Sequence, residues 1–590
     1  RNIERFPWAG HLGLNLLPQV IKRLQAAQTT LLFTNTRSQT EIWFRALQDA
    51  RPDWSNEIAL HHGSVDRELR EQVENRLRAG TVRCVVCTSS LDLGVDFPPV
   101  EQVIQIGAPK GVARMLQRAG RSGHRQGAVS RLFCVPAHAL ELVEFAAVRE
   151  AIAEGQMEAR VPLDRPLDVL VQHLVTVALG GGFEELELRQ EVQSAYAYRQ
   201  LTDQEWQWCM DFVTRGGQAL KAYPQFRRVV PSDGKFSVQE QQLAHFHRMS
   251  IGTITSDSAV IIKFLKGGSL GTTEDSFVAR LRRGDRFSFA GHPLEFVRLR
   301  DMVAYVRRAK KSAGLVPQWM GGKMPLSSQL AAVVRRKLSE ARDGVYVGRE
   351  MEAARVILEL QKRWSRLPDV DELLIERVQL RDGTHHFIFP FAGRLVHEGL
   401  AALLAHRVSA LQPRSLSVTL NDYGFGLLSP TEIELTPAQW QQVLSPENLV
   451  TDLLACMNSA ELAKRQFREI ARVAGLVFQG FPGRGKTVRQ LQASSGLFYD
   501  VFAQYDPDNL LLQQARREVL DRQLDVQRMR QALERIAALK LAIVQTPNLT
   551  PLSFPLWASF VQASVSSERW TERIQRMAAQ LEAEAKQEKI

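Results

Sequence analysis

The 590-residue chain is 45% hydrophobic and carries 75 Lys plus Arg against 64 Asp plus Glu, a formal charge of +11, and its length has room for roughly three or four domains. Such a charge excess attracts polyanions, because each phosphate neutralised by Lys or Arg releases condensed counterions, though a solubility surplus leaves the same trace. Five scattered cysteines exclude a disulfide framework, and no run approaches the about 18 apolar residues of a membrane span, so a cytoplasmic protein without membrane contact is expected.

From residue 28 to 136, apolar β-branched runs alternate with amphipathic helical stretches, the pattern of a parallel sheet wrapped by helices. The runs cover residues 30–33, 58–61, 82–87, 103–106 and 132–135, and residues 39–50 and 67–77 space their apolar side chains at three and four. Cys84 and Cys87 form a CxxC inside the third run; with no second ligand pair nearby, a buried strand is a better reading than a metal or redox site. Residues 163–245 read as helices followed by a basic hairpin, Phe226-Arg227-Arg228-Val229-Val230 turning at Ser232-Asp233-Gly234-Lys235, an order that fits a winged helix. Short alternating strands between 250 and 310 suggest a small barrel. A mixed α/β region follows, with hairpins turning at Arg381-Asp382-Gly383 and Asn421-Asp422, and from about 505 the chain is helical. It begins with Arg1 and reaches its first strand with little preamble, which suggests a piece of something longer.

Two segments of the first region carry chemistry. Thr88-Ser89-Ser90-Leu91-Asp92-Leu93-Gly94-Val95-Asp96 follows the third strand, and Gln117-Arg118-Ala119-Gly120-Arg121-Ser122-Gly123-His124-Arg125 comes after the fourth. Glycines interleaved with arginines at such a corner let guanidinium groups reach a phosphate while the backbone stays clear, although a solvated basic turn has the same composition. Together the segments resemble motifs V and VI of superfamily 2 helicases. Leu31-Leu32-Phe33-Thr34-Asn35-Thr36-Arg37 resembles motif IV of the same group, and His61-His62-Gly63-Ser64 the loop after it. A metal reading of His61 and His62 lacks a third ligand at a suitable spacing. The resemblance implies Arg121, Arg118 and Arg125 as catalytic arginines, Gly94, Asp96, Gln117, Arg118 and Arg121 as nucleotide contacts, and Asn35, Arg37, Ser64 and Thr88 as contacts to a nucleic-acid backbone. Many superfamily 2 helicases have Arg where His124 stands, so Arg121 is the stronger finger and Arg118 the next.

Within the helicases, Phe6-Pro7-Trp8-Ala9-Gly10-His11-Leu12-Gly13, Gly252-Thr253-Ile254 and Pro317-Gln318-Trp319-Met320-Gly321-Gly322 resemble segments of the large helicase-related (Lhr) family, and the helical tail resembles its bacterial group encoded beside an ATP-dependent DNA ligase. The implied fold is α/β: a second RecA-like lobe over 1–160, a winged helix over 161–248, the β-barrel part of an Lhr-specific domain over 249–345, and its α+β remainder with the helical tail over 346–590. The implied activity is ATP-driven 3′-to-5′ translocation on single-stranded DNA with unwinding of DNA and RNA:DNA duplexes in DNA repair. ATP and Mg²⁺ would be held mostly by a first lobe that this chain lacks, so the chain alone would bind DNA without hydrolysing ATP. The ligase and its nuclease are the implied partners, and no further metal is expected. Ile254 and Trp319 are implied contacts to DNA; Trp319 has the alternative of a core anchor, but stacking on a base, worth about 1–3 kcal/mol, is the favoured reading. The alternative from another class is a non-catalytic DNA-binding or scaffold module.

Gly480-Phe481-Pro482-Gly483-Arg484-Gly485-Lys486-Thr487 satisfies the phosphate-loop pattern letter for letter. Its context does not. Residues 460–474 read as a helix, only Leu476-Val477-Phe478 could supply the preceding strand, and no apolar strand ending in Asp-Glu follows to hold Mg²⁺. A basic Gly/Pro loop is the better reading, and an independent nucleotide hydrolase using Lys486 is the alternative.

Overall fold

The computed structural model describes residues 13–587 apart from 93–99, 124–126, 128, 159–161, 233, 254–258, 279–280, 282, 301–302, 310–324, 457–458, 479, 482–483, 486–487, 524 and 565–568. The chain folds as two units, one of residues 1–158, 258–449 and 528–590, the other of 159–257 and 450–527.

The first unit opens with a five-stranded parallel sheet: β1 (Thr30–Phe33), β2 (Ile58–His61), β3 (Cys84–Cys87), β4 (Gln102–Ile106) and β5 (Leu132–Val135), in the order β2-β3-β1-β4-β5. All five expected strands form. Their side chains alternate between two apolar layers, Leu32, Val86 and Ile104 on one face and Leu31, Phe33, Val85 and Val103 on the other, because helices cover both sides. The helices are α1 (Leu17–Gln25), α2 (Arg37–Ala50), α3 (Arg67–Arg78), α4 (Val112–Ala119) and α5 (Leu140–Ala153). The Thr36 side chain caps α2 by accepting from the Gln39 N–H, and Asp66 caps α3 through the Glu68 N–H. Cys84 and Cys87 lie in opposite layers, so the period of the strand keeps the two thiols from converging on one ion. Burial pushes the Cys84 thiol up to about 12 and Cys87 well above its ordinary value.

The barrel segment is a five-stranded sheet in the order Arg286–Phe289, His292–Arg300, Val303–Arg308, Ala259–Phe264, Ser269–Glu274, antiparallel except where Val303–Arg308 runs parallel to Ala259–Phe264. Its edge bonds to the lobe: the Asp66 N–H donates to the Leu270 carbonyl at 3.0 Å and the Thr272 N–H to the Ser64 carbonyl at 2.8 Å. A second clasp is the carboxylate of Glu41 on α2, only 1% exposed. It accepts from the N–H groups of Ala290 (2.6 Å) and Gly291 (3.1 Å), whose positive φ angles turn the hairpin between Phe289 and His292. A third sheet orders Ser417–Leu420, Phe425–Ser429, Gly383–Phe389, Glu372–Leu380 and Lys540–Thr546, the last two parallel. Both expected hairpins are in it. Helix α5 is buried on several sides, its buried carboxylates Glu141 and Glu144 included, and shares one core with the helices Ser328–Arg342 and Arg349–Trp364.

In the second unit, Leu167–Leu179, Glu185–Ser194, Asp203–Arg215 and Gln241–Ser250 are helices, and Val230–Ser232 pairs with Lys235–Ser237 in the expected hairpin. Arg228, read as part of the first strand of that basic hairpin, precedes the strand and is buried: one Nη donates to the Ala474 carbonyl at 2.7 Å, and burial lowers the guanidinium to about 10. The region expected to continue as one domain over 346–590 is divided, because Ser459–Val473, Val488–Tyr505 and Leu510–Glu518 give their apolar faces to the winged-helix core. Phe467, Phe502 and Leu512 pack in one cluster with Leu170, Trp206 and Phe212. In the phosphate-loop look-alike, Gly480 pairs antiparallel with Gly485 and Phe481 with Arg484, while Pro482, Gly483, Lys486 and Thr487 lie outside the described residues. A phosphate loop instead joins a parallel strand to a helix with its amides turned inward.

Candidate nucleotide and nucleic-acid site

The loops that follow β1, β2 and β3 leave the sheet side by side, because Phe33 and His61 both register with Cys87 at the strand ends. The Thr34 N–H donates to the Cys87 carbonyl at 2.8 Å, and the Thr88 N–H to the His61 carbonyl at 3.3 Å. Arg37, exposed at the start of α2, donates from Nη1 to the Ser64 hydroxyl at 2.7 Å. Arg37, Ser64 and Thr88 therefore occupy the same end of the sheet, the end at which parallel sheets bind ligands. Asn35 ties this group to the next loop: its Nδ2 donates to the Ala108 carbonyl at 2.7 Å and its Oδ1 accepts from Gln105 Nε2 at 3.3 Å. The two histidines are structural in their contacts, His61 bonding Ser90 (2.8 Å) and Glu74 (3.1 Å), His62 bonding Glu41 (3.2 Å). Burial lowers the His61 imidazole below its usual value.

Helix α4 and the turn after it bring three arginines onto Asp92. Arg118 is 1% exposed; its Nε and Nη2 donate to the Asp92 carboxylate at 2.9 and 3.4 Å, its Nη1 to Gln105, and its guanidinium lies 4.6 Å from the centre of the Phe33 ring. Arg114 approaches the same carboxylate at 3.9 Å. Arg118, expected at a phosphate, is here enclosed and bonded to Asp92, a contact that ties the loop after β3 to α4. Arg121 differs. Half-buried, it donates from Nη2 to the Asp92 backbone carbonyl at 2.7 Å and has no ion pair to a described acidic side chain. Gln117 is exposed on the outer side of α4. Gly94, Asp96, Arg125, Ile254 and Trp319 lie outside the described residues.

Four partners escaped the sequence. Asp92 and Gln105 receive Arg118, Glu41 seats the barrel sheet, and Glu158 caps α4 from 46 residues away by accepting from the Val112 (2.7 Å) and Ala113 (2.8 Å) N–H groups. The Ser327 hydroxyl adds a third bond to Glu158 at 2.9 Å. Burial pushes this carboxyl up, but the amide and hydroxyl donors outweigh it and hold it below the ordinary range. Before α4, Lys110 pairs with buried Glu144 at 2.6 Å, and Tyr423 bonds the same carboxylate. The only local signal for any of these was that an arginine destined for the interior requires an acid.

A parallel sheet whose strand ends gather Asn35, Arg37, Ser64 and Thr88 beside an arginine-bearing helix, followed in the chain by a winged helix, has the fold of a helicase C-terminal lobe with a winged-helix domain. Family comparison agrees with that class. Residues 13–126 match the helicase conserved C-terminal domain, 150–316 the winged helix domain of large helicase-related protein, and 367–553 the DEAD/H associated domain. The chain is 29% identical over 572 residues to the ATP-dependent helicase Lhr-Core protein 2 of Thermococcus barophilus, covering 94% of this chain and 66% of that protein. It is 27% identical over 516 residues to the Lhr helicase/uracil glycosylase of Escherichia coli, covering 84% and 33%. Among solved structures, the helicase Lhr of Mycobacterium smegmatis bound to single-stranded DNA and AMP-PNP superimposes with a TM-score of 0.69 at 22% identity, over 91% of this chain and 67% of that one. The chain thus spans about two thirds of the Lhr-Core length.

Proposed function

We propose that this chain is the second motor lobe and DNA-gripping portion of an ATP-driven helicase that moves 3′-to-5′ on single-stranded DNA and unwinds DNA and RNA:DNA duplexes in DNA repair. In this reading ATP and Mg²⁺ lie between this lobe and a first lobe carrying the phosphate loop and its acid. Hydrolysis of ATP supplies the free energy for translocation. Arg121 stabilises the charge that develops on the γ-phosphate, while Arg118 and Asp92 position it. Arg37, Ser64 and Thr88 hold the phosphate backbone, which fixes register without reading sequence. Trp319 and Ile254 stack and wedge against bases, so that each step has something besides a sliding phosphate grip to push against. A ligase and nuclease of the same repair system are the proposed partners, as for the bacterial group that the tail resembles.

The observation that carries this reading is the contrast within one motif: Arg118 is locked to Asp92, whereas Arg121 spends one hydrogen bond on a backbone carbonyl and keeps its charge free of described carboxylates. Arg121→Ala in the full-length protein tests it. ATPase is expected to fall by about 10³-fold or more, with single-stranded DNA affinity within twofold. Unchanged ATPase would leave the non-catalytic DNA-binding module as the better account.

A further inference from the structure

In the first unit, away from the motor motif, the helices Ser328–Arg342, Arg394–Leu411 and Val526–Ala537 enclose a pocket of about 160 Å³ lined by Ser328, Ala392, Val396 and three arginines, Arg335, Arg528 and Arg535. The guanidinium groups are held in an arc by three consecutive backbone carbonyls. Arg535 Nη2 donates to the Pro390 carbonyl at 2.8 Å, Arg335 Nη1 to Phe391 at 2.9 Å, and Arg528 Nη2 to Ala392 at 3.1 Å. Phe391, in the middle of the three, has φ 48, a left-handed turn that a bulky residue adopts only under constraint. Arg528 also donates to the Ser328 hydroxyl at 2.7 Å.

Neutral oxygens fix the orientation of a guanidinium without cancelling its charge. Each guanidinium has five N–H donors, and Arg335 and Arg535 each spend one on protein and have no ion pair to a described acidic side chain. The neighbouring carboxylate of Asp422 is engaged elsewhere, by Lys110 and by the N–H groups of Leu326 and Arg394. Like charges are therefore crowded at a cost. Burial, with the charge of Arg535 second, lowers Arg335 to about 9, and burial lowers Arg535 as well. Holding three carbonyls would not require three such cations. Arg528 is engaged by Ser328, Ala392 and the Leu326 carbonyl (3.0 Å), whereas the unspent N–H donors of Arg335 and Arg535, on the lining of one pocket, match a tetrahedral oxyanion, to which planar guanidinium forks donate in pairs.

We propose that this pocket is a phosphate-binding site, taking either a backbone phosphodiester of single-stranded nucleic acid or a phosphate monoester from solution. It stands independently of the motor assignment, since none of its residues belongs to the motor lobe. The test uses the 590-residue chain, with inorganic phosphate and a 5′-hydroxyl oligothymidylate as probes. Against chloride at matched ionic strength, phosphate is expected to raise the melting temperature of the wild-type chain. Arg535→Met is expected to weaken phosphate binding at least tenfold, while melting no lower than wild type in phosphate-free buffer because a like-charge repulsion is relieved. Arg535→Lys, which keeps the charge, is expected to retain part of the response, so that loss of binding is not mistaken for loss of fold. If the ligand is a phosphodiester, inorganic phosphate competes with the oligothymidylate and Arg535→Met lowers the salt slope of its binding by about 1. If it is a monoester, oligothymidylate affinity is unchanged while the phosphate response is lost. A wild-type chain indifferent to phosphate, with oligothymidylate binding untouched by Arg535→Met, overturns the proposal, as does a full phosphate response in that variant.

Discussion

Arg118 and Arg121 sit one helical turn apart, and replacing each by alanine separates what holds the site from what acts in it. Removing Arg118 strands the Asp92 carboxylate, 6% exposed, with Arg114 at 3.9 Å as its one remaining counter-charge among the described residues, and leaves a gap over Phe33. Breaking a buried pair from one side costs about 3–5 kcal/mol. At about 2 °C per kcal/mol, the lower end of the range for large domains, the melting temperature falls by about 6–10 °C. Half-buried Arg121 loses a single bond to the Asp92 carbonyl, a cost of about 1 kcal/mol and about 2 °C. Calorimetry on both variants of the chain, with DNA-stimulated ATPase on both in the full-length protein, reads the two effects apart. Arg121→Ala should melt as wild type while ATPase collapses; Arg118→Ala should lose both. Arg121→Ala melting as low as Arg118→Ala would refute the division of labour.

Glu41→Ala removes the acceptor for the Ala290 and Gly291 N–H groups and for His62, so hydrogen exchange at those two amides is expected to accelerate at least tenfold, read by NMR or mass spectrometry. Gly271→Ala places a Cβ 2.0 Å from the Ser64 carbonyl at φ +139, whereas Gly268→Ala meets nothing within 4 Å; only the first should lower the melting temperature, by several degrees. Glu158 has a depressed folded-state pKa, so its contribution is present above the ordinary carboxyl range near about 4.3 and is lost as pH falls through the folded value. Glu158→Gln should flatten the wild-type loss of stability over that acidic window, followed by thermal melting from pH 6 downward in steps of about 0.5. Lys486→Ala should leave nucleotide affinity of the chain unchanged in a fluorescent-nucleotide titration, because Gly480 pairs antiparallel with Gly485; a tenfold loss would restore the phosphate-loop reading.

Much of the motor lobe was legible because its signals are local. Four of the five strands are short runs buried on both faces, and the fifth, at the sheet edge, is an apolar run that is partly buried. The same logic read Cys84 and Cys87 as strand rather than ligands, and a preceding helix argued against the phosphate-loop pattern at 480–487. Domain order followed from motifs that a single stretch of chain contains. What the sequence left undecided are partnerships between residues far apart. Helical spacing places Arg114, Arg118 and Arg121 on one side of α4 and the turn after it, but only the packing of that side against Phe33 and Gln105 decides which guanidinium is enclosed and which is left reachable. Glu41 with the turn at 290–291, Glu158 with α4, and the helices of 459–518 with the winged-helix core likewise carry no local mark, because a carboxylate or an apolar face looks alike to the chain whichever partner it will meet. The three arginines around the carbonyls of residues 390–392 come from positions 335, 528 and 535. Their convergence is a property of three helices meeting, where the cost of like charge is set by a distance that no stretch of sequence contains.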